Sequence, residues 1–229
     1  APIALERYDI ASANPQLGTS SLSAALVIPD LSSALLATRN GRLHRWSLVE
    51  NSLTLSFITR NRINGTIEAL AVSPSGQRVV SGDTSGDIIF WDYNSGLIQE
   101  TLQRQGESAH QTTVDALAFS DYGTRFVSGD DSGLIHVWNI SGNSVTFNQT
   151  LTGHTGSITD LDISPNGEFL VSGSGDETVI VWNLQTFTQV TRLPDHKGFV
   201  NGVHFVQQDP EESELHLISA SDDARLFEW

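Results

Sequence analysis

The chain has 229 residues, 38% of them hydrophobic, and its 27 Asp and Glu outweigh 12 Lys and Arg to a formal charge of −15. That acidity argues against a general nucleic-acid or anionic-membrane binder, and the absence of cysteine excludes disulfides, zinc thiolates and thiol catalysis. No apolar run approaches the roughly 18 residues a membrane helix needs, so no membrane span is expected; the missing methionine, even at Ala1, reads as a processed or trimmed chain.

In chain order the text is one of short strands and turns. Five tryptophans stand at Trp46, Trp91, Trp138, Trp182 and Trp229, with spacings of 45, 47, 44 and 47. Phrases recur around them: Val79-Val80-Ser81-Gly82-Asp83, Phe126-Val127-Ser128-Gly129-Asp130 and Leu170-Val171-Ser172-Gly173-Ser174. In the clearest unit the spacing predicts strands over Ser157–Ser164, Phe169–Ser174, Thr178–Trp182 and Gln185–Leu193, punctuated by Pro165-Asn166-Gly167 and Gly175-Asp176-Glu177. Val179-Ile180-Val181 is apolar on both faces, as a strand covered on each side should be. No segment shows a helical period. A four-stranded unit repeated every 44–47 residues predicts an all-β fold, a β-propeller of five four-stranded blades forming one domain over residues 1–229.

At these residues the chain resembles the WD-repeat family. Gly153-His154, Ser172, Asp176 and Trp182-Asn183 follow the family pattern, and Trp91-Asp92 is the family dipeptide itself. The resemblance implies that the last blade takes its outermost strand from the other chain end, which assigns Ile3–Ile10 to the blade ending at Trp229. Five blades depart from the seven of most members, so the ring is either small and closed or part of a larger one. The polar residues before the end tryptophans, Arg45 and Glu228, lie on the same blade face, which favours closure.

His154, Ser172 and Asp176 have the composition of a hydrolase triad, but a catalytic set occurs once and this one recurs. Ser81, Ser128, Ser172 and Ser219 each stand ten residues before a tryptophan, and His110 and His154 each stand 28 before theirs. The resemblance implies a structural Asp–His–Ser–Trp relay: His110, Ser128 and Trp138; His154, Ser172, Asp176 and Trp182; His196, Ser219, Asp223 and Trp229. Ser85 and Ser132 stand at the Asp position of two blades, with Asp83 and Asp130 two residues earlier; Ile63 replaces a His; and Gly18, Leu36 and Asn40 replace His, Ser and Asp in the first blade.

No catalytic residue, cofactor loop or metal set is expected: the calcium-like stretches Asp83–Asp87 and Asp130–Gly133 lack a downstream bidentate Glu and match ordinary turn chemistry. Two charge features remain, the cluster Arg39, Arg42, Arg45, Arg60 and Arg62, and the acidic loop from Asp209 to Glu214. The resemblance implies a rigid platform for other proteins, whose contact positions here are Ser21, Ser23 and Arg39; Thr66, Glu68 and Thr84; Thr113, Asp115 and Asp131; Ser157, Thr159 and Gly175; and Phe199, Asn201 and Asp222. Small, acidic and with one aromatic, this ring is expected to bind a basic peptide or protein surface.

Overall fold

The computed structural model of the chain describes residues 21–28, 32–50, 52–57, 65–104, 106–206 and 215–229. Every regular element among them is a strand. The first blade consists of β1 (Leu22–Val27), β2 (Ser33–Thr38), β3 (Arg42–Ser47) and β4 (Ser52–Ser56). The second holds β5 (Ile67–Val72), β6 (Arg78–Asp83), β7 (Ile88–Asp92), β8 (Ile98–Arg104) and a short extra strand, β9 (Glu107–Ser108). The third comprises β10 (Val114–Phe119), β11 (Arg125–Asp130), β12 (Ile135–Ser141) and β13 (Ser144–Leu151). The fourth comprises β14 (Ile158–Ile163), β15 (Phe169–Ser174), β16 (Val179–Asn183) and β17 (Thr188–Leu193). Three described strands make the fifth: β18 (Val200–Val206), β19 (His216–Ser221) and β20 (Leu226–Glu228). Each sheet is an antiparallel meander, and together they form the all-β five-bladed propeller that the repeat predicts. The expected outer strand Ile3–Ile10 lies outside the described residues.

The repeated Ser-Gly phrase is explained by how blades meet. A Cβ on Gly129 would sit 2.4 Å from Ile158 of the next blade, and one on Gly82 would sit 2.5 Å from Val114. Glycine there lets the neighbour's inner strand approach, and these seams close largely over apolar side chains. Val127, Ile135 and Val137 of the third blade pack with Leu161, Ile163, Leu170 and Ile180 of the fourth. Val171 and Val179 of the fourth pack with Val200, Val203 and Phe205 of the fifth. This two-sided cover explains why the middle strands are apolar on both faces.

The seams run in order, β1 on β5, β5 on β10, β10 on β14 and β14 on β18. Among the described residues β18 and β1 form no such seam, and Leu22 and Val27 of β1 and Leu226 of β20 stay exposed. The β14–β18 seam has an extra device. Where β5 carries Ala69 and Ala71 and β10 carries Ala116 and Ala118, β14 carries Asp160 and Asp162. Asp160 Oδ2 accepts the Val203 N–H at 2.9 Å and Asp162 Oδ2 accepts the Phe205 N–H at 2.8 Å. Burial pushes both carboxyls above the usual range.

Candidate interaction face and the relay beneath it

Five backbone hydrogen bonds define one rim. The N–H of Arg39 donates to Ser21 O, Thr84 to Thr66, Asp131 to Thr113, Gly175 to Ser157 and Asp222 to Phe199, all at 2.9–3.0 Å. Each bond ties the turn after a blade's second strand to the start of its first. The second expected contact residue of every blade falls at an irregularity in the inner strand: the register shifts across Ser23, Glu68, Asp115, Thr159 and Asn201. A bulge re-aims the side chain it carries. The structure thus brings the fifteen expected contact residues to one end of the blades in five like triplets. Thr66 Oγ1 further donates to Arg39 O at 3.0 Å across the first seam, Thr159 Oγ1 donates to Val200 O across the last, and Asn201 Nδ2 donates to Asp222 Oδ1.

Chemistry is uneven around that rim. Glu68, Asp115 and Asp131 gather on the second and third blades. Burial first, then the charges of Asp131, Glu68 and Asp130, push the Asp115 carboxyl up to about 6. On the fifth blade Phe199 is 54% exposed. Of the basic cluster, Arg39 is on the rim, Arg42 and Arg45 are on β3, and Arg60 and Arg62 lie outside the described residues, as does the loop from Asp209 to Glu214.

Beneath the rim the relay residues are hydrogen-bonded in three blades. In the fourth, Trp182 Nε1–H donates to Ser172 Oγ at 2.9 Å, His154 Nε2 is 2.7 Å from the same oxygen, and His154 Nδ1 is 3.0 Å from Asp176 Oδ2. An indole only donates and a carboxylate only accepts, so the donors all point one way, Trp to Ser to His to Asp, with the imidazole neutral and its proton on Nδ1. Burial would raise Asp176, but the Thr178 hydroxyl, the Thr155 N–H and His154 outweigh it and hold the carboxyl at about 2. Burial lowers His154 despite that partner. Trp229, Ser219, His196 and Asp223 repeat the chain at 3.0, 2.8 and 3.1 Å.

The third blade reaches the same end differently. His110 Nδ1 lies 2.7 Å from Asp130, at the end of β11, while Ser132, at the usual Asp place, donates both its N–H and its hydroxyl to Asp130 Oδ1. Trp138 Nε1–H and His110 Nε2 meet at Ser128 Oγ, at 3.0 and 2.7 Å. In the second blade Trp91 Nε1–H still donates to Ser81 at 2.9 Å. There Asp83 Oδ1 accepts the N–H groups of Ser85 and Asp87, and burial raises its carboxyl. Ile63, at the His place, lies outside the described residues. Both calcium-like stretches are therefore turns in which one carboxylate caps backbone N–H groups, and among the described residues no three His, Asp or Glu gather as metal ligands do.

Two buried histidines escaped the sequence reading: His44, 3% exposed and 3.0 Å from Ser56 Oγ, and His136 at the same place in the third blade. His136, 1% exposed, stacks on His110 with ring centroids 4.0 Å apart and planes at 16°, and meets Trp138 and Phe147 edge-on. Blades two and four have Ile89 and Ile180 at that place, which is the only sequence signal of them.

Comparison with known proteins agrees with this geometry. The family described as "WD domain, G-beta repeat" matches residues 57–92, 101–139 and 145–183. Protein HIR1 of Candida albicans is 26% identical over 185 residues, 80% of this chain and 16% of that protein. Striatin-4 of Mus musculus is 28% identical over 65% of this chain and 19% of its own length, and WD repeat protein iqw1 of Schizosaccharomyces pombe is 35% identical over 39% and 12%. The chain thus spans less than a fifth of these relatives. The solved structure of U3-55K superposes with a TM-score of 0.77 at 25% identity, covering 92% of this chain and 61% of that one. With the repeat text, the propeller and the family match in agreement, the chain belongs to the WD-repeat family.

Proposed function

We propose that this chain is a non-catalytic platform whose rim binds a basic protein or peptide. The observation that carries the reading is the fivefold rim itself, on which four carboxylates, Glu68, Asp115, Asp131 and Asp222, share one end of the blades with one exposed aromatic. Burial first and then the neighbouring carboxylates disfavour the charge on Asp115, and a cation from a partner offsets both. Phe199 is the natural anchor, because a lone exposed aromatic gains most on desolvation. The relay is structural in this reading. Ser128, Ser172 and Ser219 are fully buried, and each hydroxyl oxygen accepts an indole N–H, so none is presented to a substrate.

A Lys/Arg-containing peptide and its Glu/Asp counterpart, followed by surface plasmon resonance, test the reading. The basic peptide should bind in a salt-sensitive way, because rim charges are screened within about 8 Å at physiological ionic strength. Charge reversal at Asp115 and Asp131 should slow association, while Phe199→Ala should mainly speed dissociation. Equal binding of both peptides, or rates unchanged by all three substitutions, would remove the assignment.

A second reading is a module within a larger chain or assembly. It is favoured by the exposed apolar side chains of β1 and β20 and by the short share of each relative that the chain spans.

A further inference from the structure

Several depressions of the described surface lie at the end of the blades away from the rim. The rim turns join β6 to β7 and β11 to β12; the opposite turns join β5 to β6, β10 to β11 and β12 to β13. Three depressions follow those opposite turns. One, of about 360 Å³, is lined by Arg45, Val49, Glu50 and Tyr93; the next, of about 370 Å³, by Ile28, Pro74, Gln77 and Tyr93; the third, of about 270 Å³, by Pro74, Gln77, Arg78, Phe119 and Tyr122. Tyr93 is common to the first two, and Pro74 and Gln77 to the second two, so they form one furrow across three blades.

Two cations line it. Arg45 lies 4.7 Å over the Tyr93 ring, and its Nη1 donates to Tyr93 O at 3.1 Å. Arg78 Nη2 donates to Gly142 O at 2.9 Å and to Asn143 Oδ1 at 2.7 Å. Both guanidiniums are half-exposed and held across a blade seam by uncharged groups. In a protein with 27 acids and 12 bases, neither meets a carboxylate within salt-bridge distance among the described residues, where Arg192 is the one arginine that does. A guanidinium already fixed by carbonyls loses little freedom on pairing and still offers N–H groups in fork geometry. Around them stand Val49, 82% exposed, and Tyr122, 75% exposed, with small polar side chains between and Glu50 in the same depression as Arg45.

We propose that this furrow is a second docking site, opposite the acidic rim, for an extended acidic segment that sets carboxylates on Arg45 and Arg78 and an apolar side chain against Tyr93 and Pro74. A carboxylate is the one partner the two arginines lack. A segment in extended form fits because the depressions follow one another across blades, sharing Tyr93 and then Pro74 and Gln77, and a proline within it would match the tyrosine and proline lining. The proposal is independent of the rim reading, whose partner carries the opposite charge.

Backbone-amide NMR titration of the chain with the synthetic peptide acetyl-Gly-Glu-Leu-Pro-Glu-Gly-amide, and with its lysine counterpart, tests this. The acidic peptide should shift amides of the Ser73–Arg78 turn and of Tyr122 and Gly123, leaving the Thr84 and Asp131 amides in place. Arg78→Gln should weaken binding on the order of ten-fold, the worth of one charge-assisted hydrogen bond. Tyr122→Ser, at a site too exposed to disturb the fold, should weaken it about three-fold. Asp115→Lys on the rim should leave it unchanged. Absence of shifts with the acidic peptide, equal binding of the lysine peptide, or unchanged affinity in both furrow variants would overturn the proposal.

Discussion

The fourth and fifth blades carry the same relay and differ in what surrounds it. Trp182 is 2% exposed, whereas Trp229, with the same bond to its serine, is only half-buried beside exposed Leu226. The first blade shows the converse. It has Leu36 where the others have serine, yet Trp46 is 2% exposed, packed against Ala34, Leu36 and Leu53. Burial of the tryptophan therefore does not follow from possession of the relay. Among the described residues it goes with a fourth strand over its own blade and a neighbour against its face, and the relay serves to satisfy the indole N–H once it is buried.

Four measurements would break or sharpen this comparison. The largest effect is expected at Trp182→Ala, which should cost about 3–5 kcal/mol in urea unfolding, while Trp229→Ala should cost about half as much; equal costs would end the argument from cover. Ser172→Ala should cost about 1–2 kcal/mol, because a buried indole N–H and imidazole lose their partner, and Ser219→Ala should cost less where water reaches the same groups.

The third measurement concerns pH. Asp115 has a folded pKa of about 6 against an unfolded 3.8, so the folded state holds the proton more tightly. Its cost to stability is full above pH 6 and disappears as the pH falls below about 4. Asp115→Asn should raise stability at pH 8 by about 1–2 kcal/mol, a figure already reduced for solvent screening at this half-exposed site, and leave it unchanged at pH 4. An equal gain at both pH values would mean that charge is not the cause. The smallest effect belongs to Ala224. It sits at φ 61 in the turn where the second and third blades place Gly86 and Gly133 at φ 83 and 85. Ala224→Gly should raise the melting temperature slightly, by the equivalent of about 0.5–1 kcal/mol.

Much of the fold was legible because the repeat writes its constraints in rare residues. The tryptophan spacing set the blade period, and each Ser-Gly phrase joined the hydroxyl that meets the indole to the gap through which the next blade approaches. The strand expected at Phe169–Ser174 is where it was expected, and its neighbours end within a few residues of theirs. Other features leave no such mark. Asp130 rather than a residue at position 132 meets His110 because the turn beyond β11 folds that carboxylate back, a choice of rotamer and turn shape. The inner-strand bulges have no compositional signature, so the family pattern named the residues they carry without a reason for their placement. The furrow was invisible because its wall comes from turns of three blades, each ordinary alone.

The carboxylates of β14 have a consequence of their own. Asp160 and Asp162 are two residues apart and engage Val203 and Phe205, also two apart, so the seam meshes like a rack whose tooth spacing is the strand's own two-residue repeat. An oily seam between alanine-faced strands resists separation but says little about sliding, since apolar contact has no direction. Here a shift of one residue, about 3.3 Å, would carry both amides away from their acceptors at once. The fifth blade is thus indexed along its axis, and the height of Phe199 relative to its neighbours on the rim is set by two aspartates of the adjoining blade.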